Sequence, residues 1–236
     1  MRAMEKNGKK LGVLGGMGSA ASAEFLRLLA AMAPATNDQE HPIVYMLADS
    51  EIPDRTEGIL GTGPDPSARI YKDLGQLTTM GADILAVPCN TAHYFIDRFT
   101  DPLPLPLVHI VDETVKAAQR MEPQGVWMIS TIGTWKTGIY QDYAAKYNLP
   151  LYFPEDAERK LLHQCILEVK ANQMLRAGEH IRQVVEKLWS VKVLPIMTAC
   201  TELPLGYDAS GLPQEKAVSS LGALADACIR ELYEEK

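Results

Sequence analysis

Short apolar runs alternate with longer segments of helical period along this chain, and that alternation confines it to parallel sheets covered on both faces. Leu11–Leu14, Ile43–Ala48, 83–87, Val108–Ile110, Gly125–Ser130, Leu151–Phe153 and Val193–Thr198 read as strands. Residues 67–80, 112–121, 137–147, 156–171 and 173–189 read as helices, and 214–235 as a charged amphipathic helix. An earlier helix carries Ala23, Leu26, Leu29, Ala30 and Ala33 on one stripe before Pro34, with Ser19 or Ser22 as its cap. Residues 53–66, with Pro53, Gly58, Gly61, Gly63, Pro64 and Pro66, read as loop. Strands separated by helices pair in parallel, so the expected class is α/β.

The spacing points to an internal duplication. Gly12 and Gly125 each open a strand that meets a turn of small residues, 113 positions apart; Cys89 and Cys200 each follow a strand, 111 positions apart. Two similar domains are expected, residues 1–111 plus 210–236 and residues 112–209. Ligands of open parallel sheets sit beyond the carboxyl ends of strands. Two such halves facing one another would set the two thiols on opposite sides of one cleft.

Composition removes several classes of function. The net charge is −7 and no Lys/Arg cluster forms a phosphate track, so nucleic acid is not an expected partner. The opening MRAMEKNGKK is charged, and the apolar run after it meets glycines at once, too short for a signal-peptide core or a membrane span. Four dispersed cysteines then suit reduced thiols in a cytoplasm. No CxxC or HExxH spacing is present, so no metal site is expected.

Gly16-Met17-Gly18-Ser19-Ala20-Ala21 fits a dinucleotide fingerprint, with Asp49 ending the next strand. The gap from Ala21 to Asp49 is too long for that motif, and a nicotinamide enzyme has no use for a second matched cysteine. The alternatives are a turn that lets strand and helix pack, and the preferred reading, in which the loop amides around Met17 cradle a carboxylate. Cys165 in LLHQCILEV and Cys228 in LADACIREL stand at helical core spacing and read as buried hydrophobes. Cys89 and Cys200 instead precede Asn-Thr and Thr-Glu, where a thiol meets donors and substrate. One such cysteine suggests covalent catalysis; a matched pair suggests a proton taken from one face of a carbon and returned to the other.

LGVLGGMGS, IPDRTEGILG, PCNTAHYF and CTELPL together resemble the aspartate/glutamate racemase family of cofactor-independent amino-acid racemases. These motifs run from Leu11 to Leu205, and PCNTAH followed by CTELP is the specific part. The resemblance implies two α/β domains related by a pseudo-twofold axis, with the site in the cleft between them. It also implies a homodimer, no cofactor, and Cys89 and Cys200 as paired base and acid. Removing an α-proton builds charge on the α-carboxylate, which donors must hold. Asn90, Thr91 and Thr201 are positioned to donate there, and can equally cap helices. Thr131 and Thr134 match the family's second-domain threonines. Arg55 and Lys170 match basic positions that would hold a distal carboxylate. Helix N-termini after each cysteine would favour the thiolate, and Glu202 could orient or deprotonate Cys200. His93 stays outside the catalytic set, as a residue of structural use.

The chain departs from the family pattern at Ser19, Ala199 and Glu51, where many relatives carry proline, glycine and glutamine. A Glu51 facing the ligand would repel an acidic side chain and weaken aspartate specificity. The expectation is a PLP-independent racemase of acidic amino acids, aspartate first and glutamate second. Hydantoin racemases, maleate isomerases and arylmalonate decarboxylases share the broader scaffold. The intact cysteine pair disfavours the decarboxylases, which need one; Arg55 and Lys170 keep maleate-like dicarboxylates in view. A dicarboxylate-binding protein without turnover is the non-enzymatic alternative.

Overall fold

A computed structural model describes residues 4–235; residues 1–3 and 236, the outer ends of the expected first domain, lie outside the described residues. The first half contains β1 (Met4–Lys6), β2 (Leu11–Gly15), α1 (Ser19–Met32), β3 (Val44–Ala48), α2 (Arg55–Leu60) and α3 (Ser67–Thr79). It continues with β4 (Ile84–Ala86), α4 (His93–Ile96), β5 (Leu107–Val108) and α5 (Ile110–Met121). The second half holds β6 (Val126–Ser130), α6 (Ile132–Thr137), α7 (Ile139–Lys146), β7 (Leu151–Tyr152), α8 (Asp156–Lys170) and α9 (Met174–Val191). After these come β8 (Ile196–Ala199), α10 (Leu203–Ser210), β9 (Ala217–Ser219), α11 (Ser220–Leu232) and β10 (Tyr233–Glu235).

The two large sheets have the same design. One runs β3-β2-β4-β5 and the other β7-β6-β8-β9, all parallel, so the strand leading to Cys89 and the strand leading to Cys200 hold equivalent places. Every residue of β2 and β8 is buried, as strands covered on both faces must be. One apolar cluster joins the halves: Leu11, Val13, Ile84 and Ala86 of the first sheet share it with Val126, Met128, Met197 and Ala199 of the second. Leu221, Leu224 and Cys228 of α11 lie in the same cluster. No helix among the described residues is long and apolar enough to cross a membrane.

Three local expectations are corrected. Residues 53–66 are not all loop, because Asp54 accepts from the Thr56 and Glu57 amides and so starts α2. The tail is not one helix over 214–235: Ala217–Ser219 pairs with β8, Ser219 caps α11, and Tyr233–Glu235 pairs with β1. Residues 217–219 therefore extend the second sheet, although 210–236 was expected to travel with the first half. Neither Ser19 nor Ser22 caps α1, whose cap is Gly18; Ser22 Oγ instead accepts from the Gly16 amide and donates to the Gly18 carbonyl. Gly16, at φ +89°, is required where it stands, since a Cβ there would lie 2.4 Å from the Asp49 backbone.

Candidate active site

Each sheet delivers a cysteine from the carboxyl end of its third strand. Cys89 follows β4 by way of Pro88, and Cys200 follows β8 directly; they are 5% and 4% exposed. Both line one small cavity of about 30 Å³ together with Met17, Arg55, Asn90, Thr91, Thr131, Lys170, Thr201 and Glu202. Ten of the eleven residues singled out from the sequence thus meet at one place. Thr134, the eleventh, is buried directly behind the wall and bonds to Thr91 at 2.8 Å. A volume of 30 Å³ is about one water's share of the liquid, so an amino acid enters only if the walls part. A wider cleft of about 410 Å³ shares Asp54, Arg55, Lys170 and Glu202 with this cavity and is floored by Gly16, Gly18, Ser19 and Ala20. A larger groove of about 770 Å³ lies against β5, α5 and α11, but Lys116 and Arg230 on its wall are already paired with acids.

Arg55 opens α2 and is 9% exposed. Its Nη1 donates to the Ile52 and Pro53 carbonyls at 3.1 and 3.0 Å, and Nη2 to the Met17 carbonyl at 3.4 Å. Three of five guanidinium donors are thereby used and the head is fixed, leaving two for a carboxylate. Lys170, the last residue of α8, is exposed on its outer side and lines both the cavity and the cleft. Glu51 does not line either space; it pairs with Arg69 at 2.7 Å and its side chain is 78% exposed, so the repulsion anticipated from it is absent.

The hydroxyl and amide groups form a bridge between the halves. Thr91 Oγ1 lies 3.1 Å from Thr131 Oγ1 and 2.8 Å from Thr134 Oγ1, and Thr131 caps α6 by accepting from the Thr134 amide. Asn90 is 1% exposed; Tyr140 donates to its Oδ1 at 2.6 Å, and its Nδ2 donates to Ser220 Oγ at 3.0 Å. One N–H of that amide remains for a ligand. Thr201 Oγ1 donates to Glu202 Oε2. None of Asn90, Thr91 and Thr201 caps a helix, so their expected alternative use is not realised: α4 and α10 have Ala92 and Glu202 at their caps.

The two thiols have unlike surroundings. Burial pushes both above the ordinary cysteine range, Cys200 well above it. The Ala92 and Glu202 amides that follow the two cysteines do favour the thiolates, as expected, but loss of hydration outweighs them in the site as it stands. After burial, the strongest influence on Cys89 is Arg55, which lowers it; on Cys200 it is Glu202, which raises it. Cys200 Sγ donates to Glu202 Oε2 at 3.2 Å. The other carboxylate oxygen, Oε1, is buried without a partner and faces the place of Gly18.

His93 is fully buried, with Nδ1 2.9 Å from the Cys89 carbonyl and its ring edge against His109. Burial drives its pKa down to about 3, so the ring is neutral and props the Cys89 turn. Residues missed from the sequence also border the cavity: Asp54, Thr56 and Ile166. Asp54 and Thr56 adjoin Arg55 and were hidden in a segment that read as loop. The supports Tyr140 and Ser220 gave no signal, since both reach Asn90 over long chain distances. No group of three or more His, Cys, Asp or Glu among the described residues is arranged to hold a metal ion.

Comparison with known proteins gives one consistent result. The profile described as Asp/Glu/Hydantoin racemase matches residues 14–227. The broad specificity amino-acid racemase RacX of Bacillus subtilis (strain 168) is 26% identical over 199 residues, covering 82% of this chain and 85% of that protein. The aspartate racemase of Picrophilus torridus superposes with a TM-score of 0.85 at 29% identity, over 97% of this chain and 96% of the other. A glutamate racemase from Thermus thermophilus shares the fold at 19% identity, with a TM-score of 0.68 over 96% of this chain and 81% of its own.

Proposed function

The chain belongs to the Asp/Glu/Hydantoin racemase family, and from that premise we propose that it is a PLP-independent racemase of acidic amino acids, using Cys89 and Cys200 as a base–acid pair. The observation that carries this reading is the convergence of two thiols, from equivalent strands of two like sheets, on one cavity with Arg55 and Lys170.

In the proposed reaction a thiolate takes the α-proton from one face. The C–H electron pair moves into the α-carboxylate as an enediolate, and the opposite thiol gives its proton to the other face. The product is the enantiomer, with the two thiols' protonation exchanged. Charge gathering on the α-carboxylate is met by the free N–H of Asn90 and the hydroxyl of Thr91, with Thr134 supporting Thr91; Thr201 and Thr131 join by turning their single protons from Glu202 and Thr134. Arg55 takes the distal carboxylate in two-point fashion, aided by Lys170. Glu202 Oε1, buried and unpaired, suits the substrate's ammonium. With Glu51 turned to Arg69, nothing in its position opposes aspartate. The working form is proposed to be a cytoplasmic homodimer.

A maleate-like dicarboxylate fits the same two cations, and one panel separates the readings. Purified protein without added cofactor is given each enantiomer of aspartate, glutamate and neutral amino acids, and maleate, followed by chiral chromatography. Racemisation of aspartate above glutamate is expected. Conversion of maleate with no action on any amino acid would replace the racemase reading, and no turnover of any compound would leave the binding-protein alternative.

A further inference from the structure

We propose that Glu202 holds the proton of Cys200 in place, so that Cys89 is the first of the two thiols to ionise and Glu202 is a positioning residue for the Cys200 proton. The inference rests on the two-thiol reading and assigns which thiol acts first as base.

The geometry is one-sided. Cys200 Sγ points its proton at Glu202 Oε2 over 3.2 Å, while Thr201 Oγ1 donates to the same oxygen over 3.3 Å. Both hydrogen bonds thus end on one oxygen of Glu202. Ionising Cys200 would remove one of them and set a thiolate against a carboxylate inside a site that is almost closed to water, where like charges repel strongly. Cys89 has no acid bonded to it. It faces the Arg55 guanidinium, whose head three backbone carbonyls hold in place, and the Ala92 amide. Negative charge is therefore less disfavoured on Cys89 than on Cys200.

The other ionisable groups around the pair leave this balance standing. Lys170 from α8 lowers both thiols; Glu202 raises Cys89 too, but behind the lowering by Arg55 and the Ala92 amide, whereas on Cys200 it is the strongest influence after burial. Asp54 borders the cavity beside Arg55. Tyr140 of α7 is pushed above its ordinary value by burial, and His93 behind Cys89 is pushed down to about 3, so neither changes charge across the neutral range. Of the two roles anticipated for Glu202, this arrangement takes the first: it orients and retains the Cys200 proton and does not extract it. A substrate ammonium at Oε1 would offset the carboxylate's charge and release that proton when the opposite face of the α-carbon needs it.

The test is an ultraviolet titration of thiolate absorbance in Cys89→Ser and Cys200→Ser, together with pH-dependent iodoacetamide labelling of wild type read by peptide mass spectrometry. Cys89 is expected to ionise at least one pH unit below Cys200 in both. Glu202→Gln should lower the Cys200 midpoint by about a unit, a tenfold change in its ionisation constant. The same substitution should shift the alkaline limb of the kcat/KM profile to lower pH and leave the acid limb in place, which a purely structural role would not do. Cys200 ionising first, or a Cys200 midpoint unmoved or raised by Glu202→Gln, overturns the proposal. The titration needs no turnover, so deuterium exchange on the same wild-type preparation tells its failure apart from failure of the racemase reading.

Discussion

Thr91 Oγ1 lies 2.8 Å from Thr134 Oγ1, and this contact crosses from the first sheet's cysteine turn to the first turn of α6 in the second half. It closes the wall behind a cavity of about 30 Å³. Thr134→Val keeps the shape and removes the hydroxyl, leaving Thr91 with Thr131 alone. Denaturant unfolding should show a loss of about 0.5–1.5 kcal/mol, the net worth of one hydrogen bond where the remaining group keeps another partner. KM for substrate should rise as well. Unchanged stability and KM would mean that the bond closes nothing of consequence.

Arg55 separates specificity from chemistry. Its two uncommitted donors are the proposed grip on the distal carboxylate, and a charge-assisted bond of about 1.5–3 kcal/mol corresponds to roughly a ten- to hundredfold rise in KM on Arg55→Ala. Arg55→Lys should recover little, because an ammonium cannot bond three backbone carbonyls and a carboxylate in one plane. Steady-state kinetics on aspartate decide it, and an unchanged KM removes Arg55 from the pocket.

Much of this site was legible because its residues are local. A strand that runs into Pro-Cys-Asn-Thr shows both its burial and its polar end, and its counterpart 111 positions later repeats the pattern. What stayed hidden depends on contacts between distant segments. Asp54 starts α2 inside a run of prolines and glycines that reads as loop, and Gly133 lets Thr56 of that helix approach α6, where a Cβ would sit 2.8 Å from the Thr56 hydroxyl. Ala217–Ser219 carries no strand signal of its own and is made a strand by the exposed edge of β8. The neutrality of His93 comes from burial, and the unequal settings of the two thiols from Arg55 beside one and Glu202 beside the other, neither of which any periodicity in the sequence reports.

Asp73 supplies a stability test. It is 4% exposed beside Asp49, which Arg69 holds ionised; burial first, then Asp49, push its pKa up to about 6. A carboxyl raised from an ordinary 3.8 contributes stability that is complete below 3.8 and is lost as pH rises through 6. Asp73→Asn removes that loss. It should stabilise the protein by about 2–3 kcal/mol at pH 8, and by little at pH 4. Thermal unfolding at the two pH values checks it, and equal effects at both would contradict it.

His93 works in the opposite sense. Its pKa, depressed from an ordinary 6.5 to about 3, means that the unfolded chain gains a proton the folded one refuses. The stability involved is complete above pH 6.5 and falls as pH drops towards 3, by about 2 kcal/mol at pH 5. His93→Asn should flatten the decline between pH 6.5 and 4 relative to wild type. Parallel stability curves would mean that the ring accepts a proton in the folded state.

The two-thiol claim is met most directly by following α-deuterium incorporation and chirality together in D₂O, for both aspartate enantiomers, with wild type, Cys89→Ser and Cys200→Ser. Wild type should convert each enantiomer into its mirror image with one solvent deuteron at the α-carbon, and each variant should lose racemisation while unfolding near the wild-type temperature. A folded variant of either cysteine that racemises aspartate at close to the wild-type rate would contradict the account.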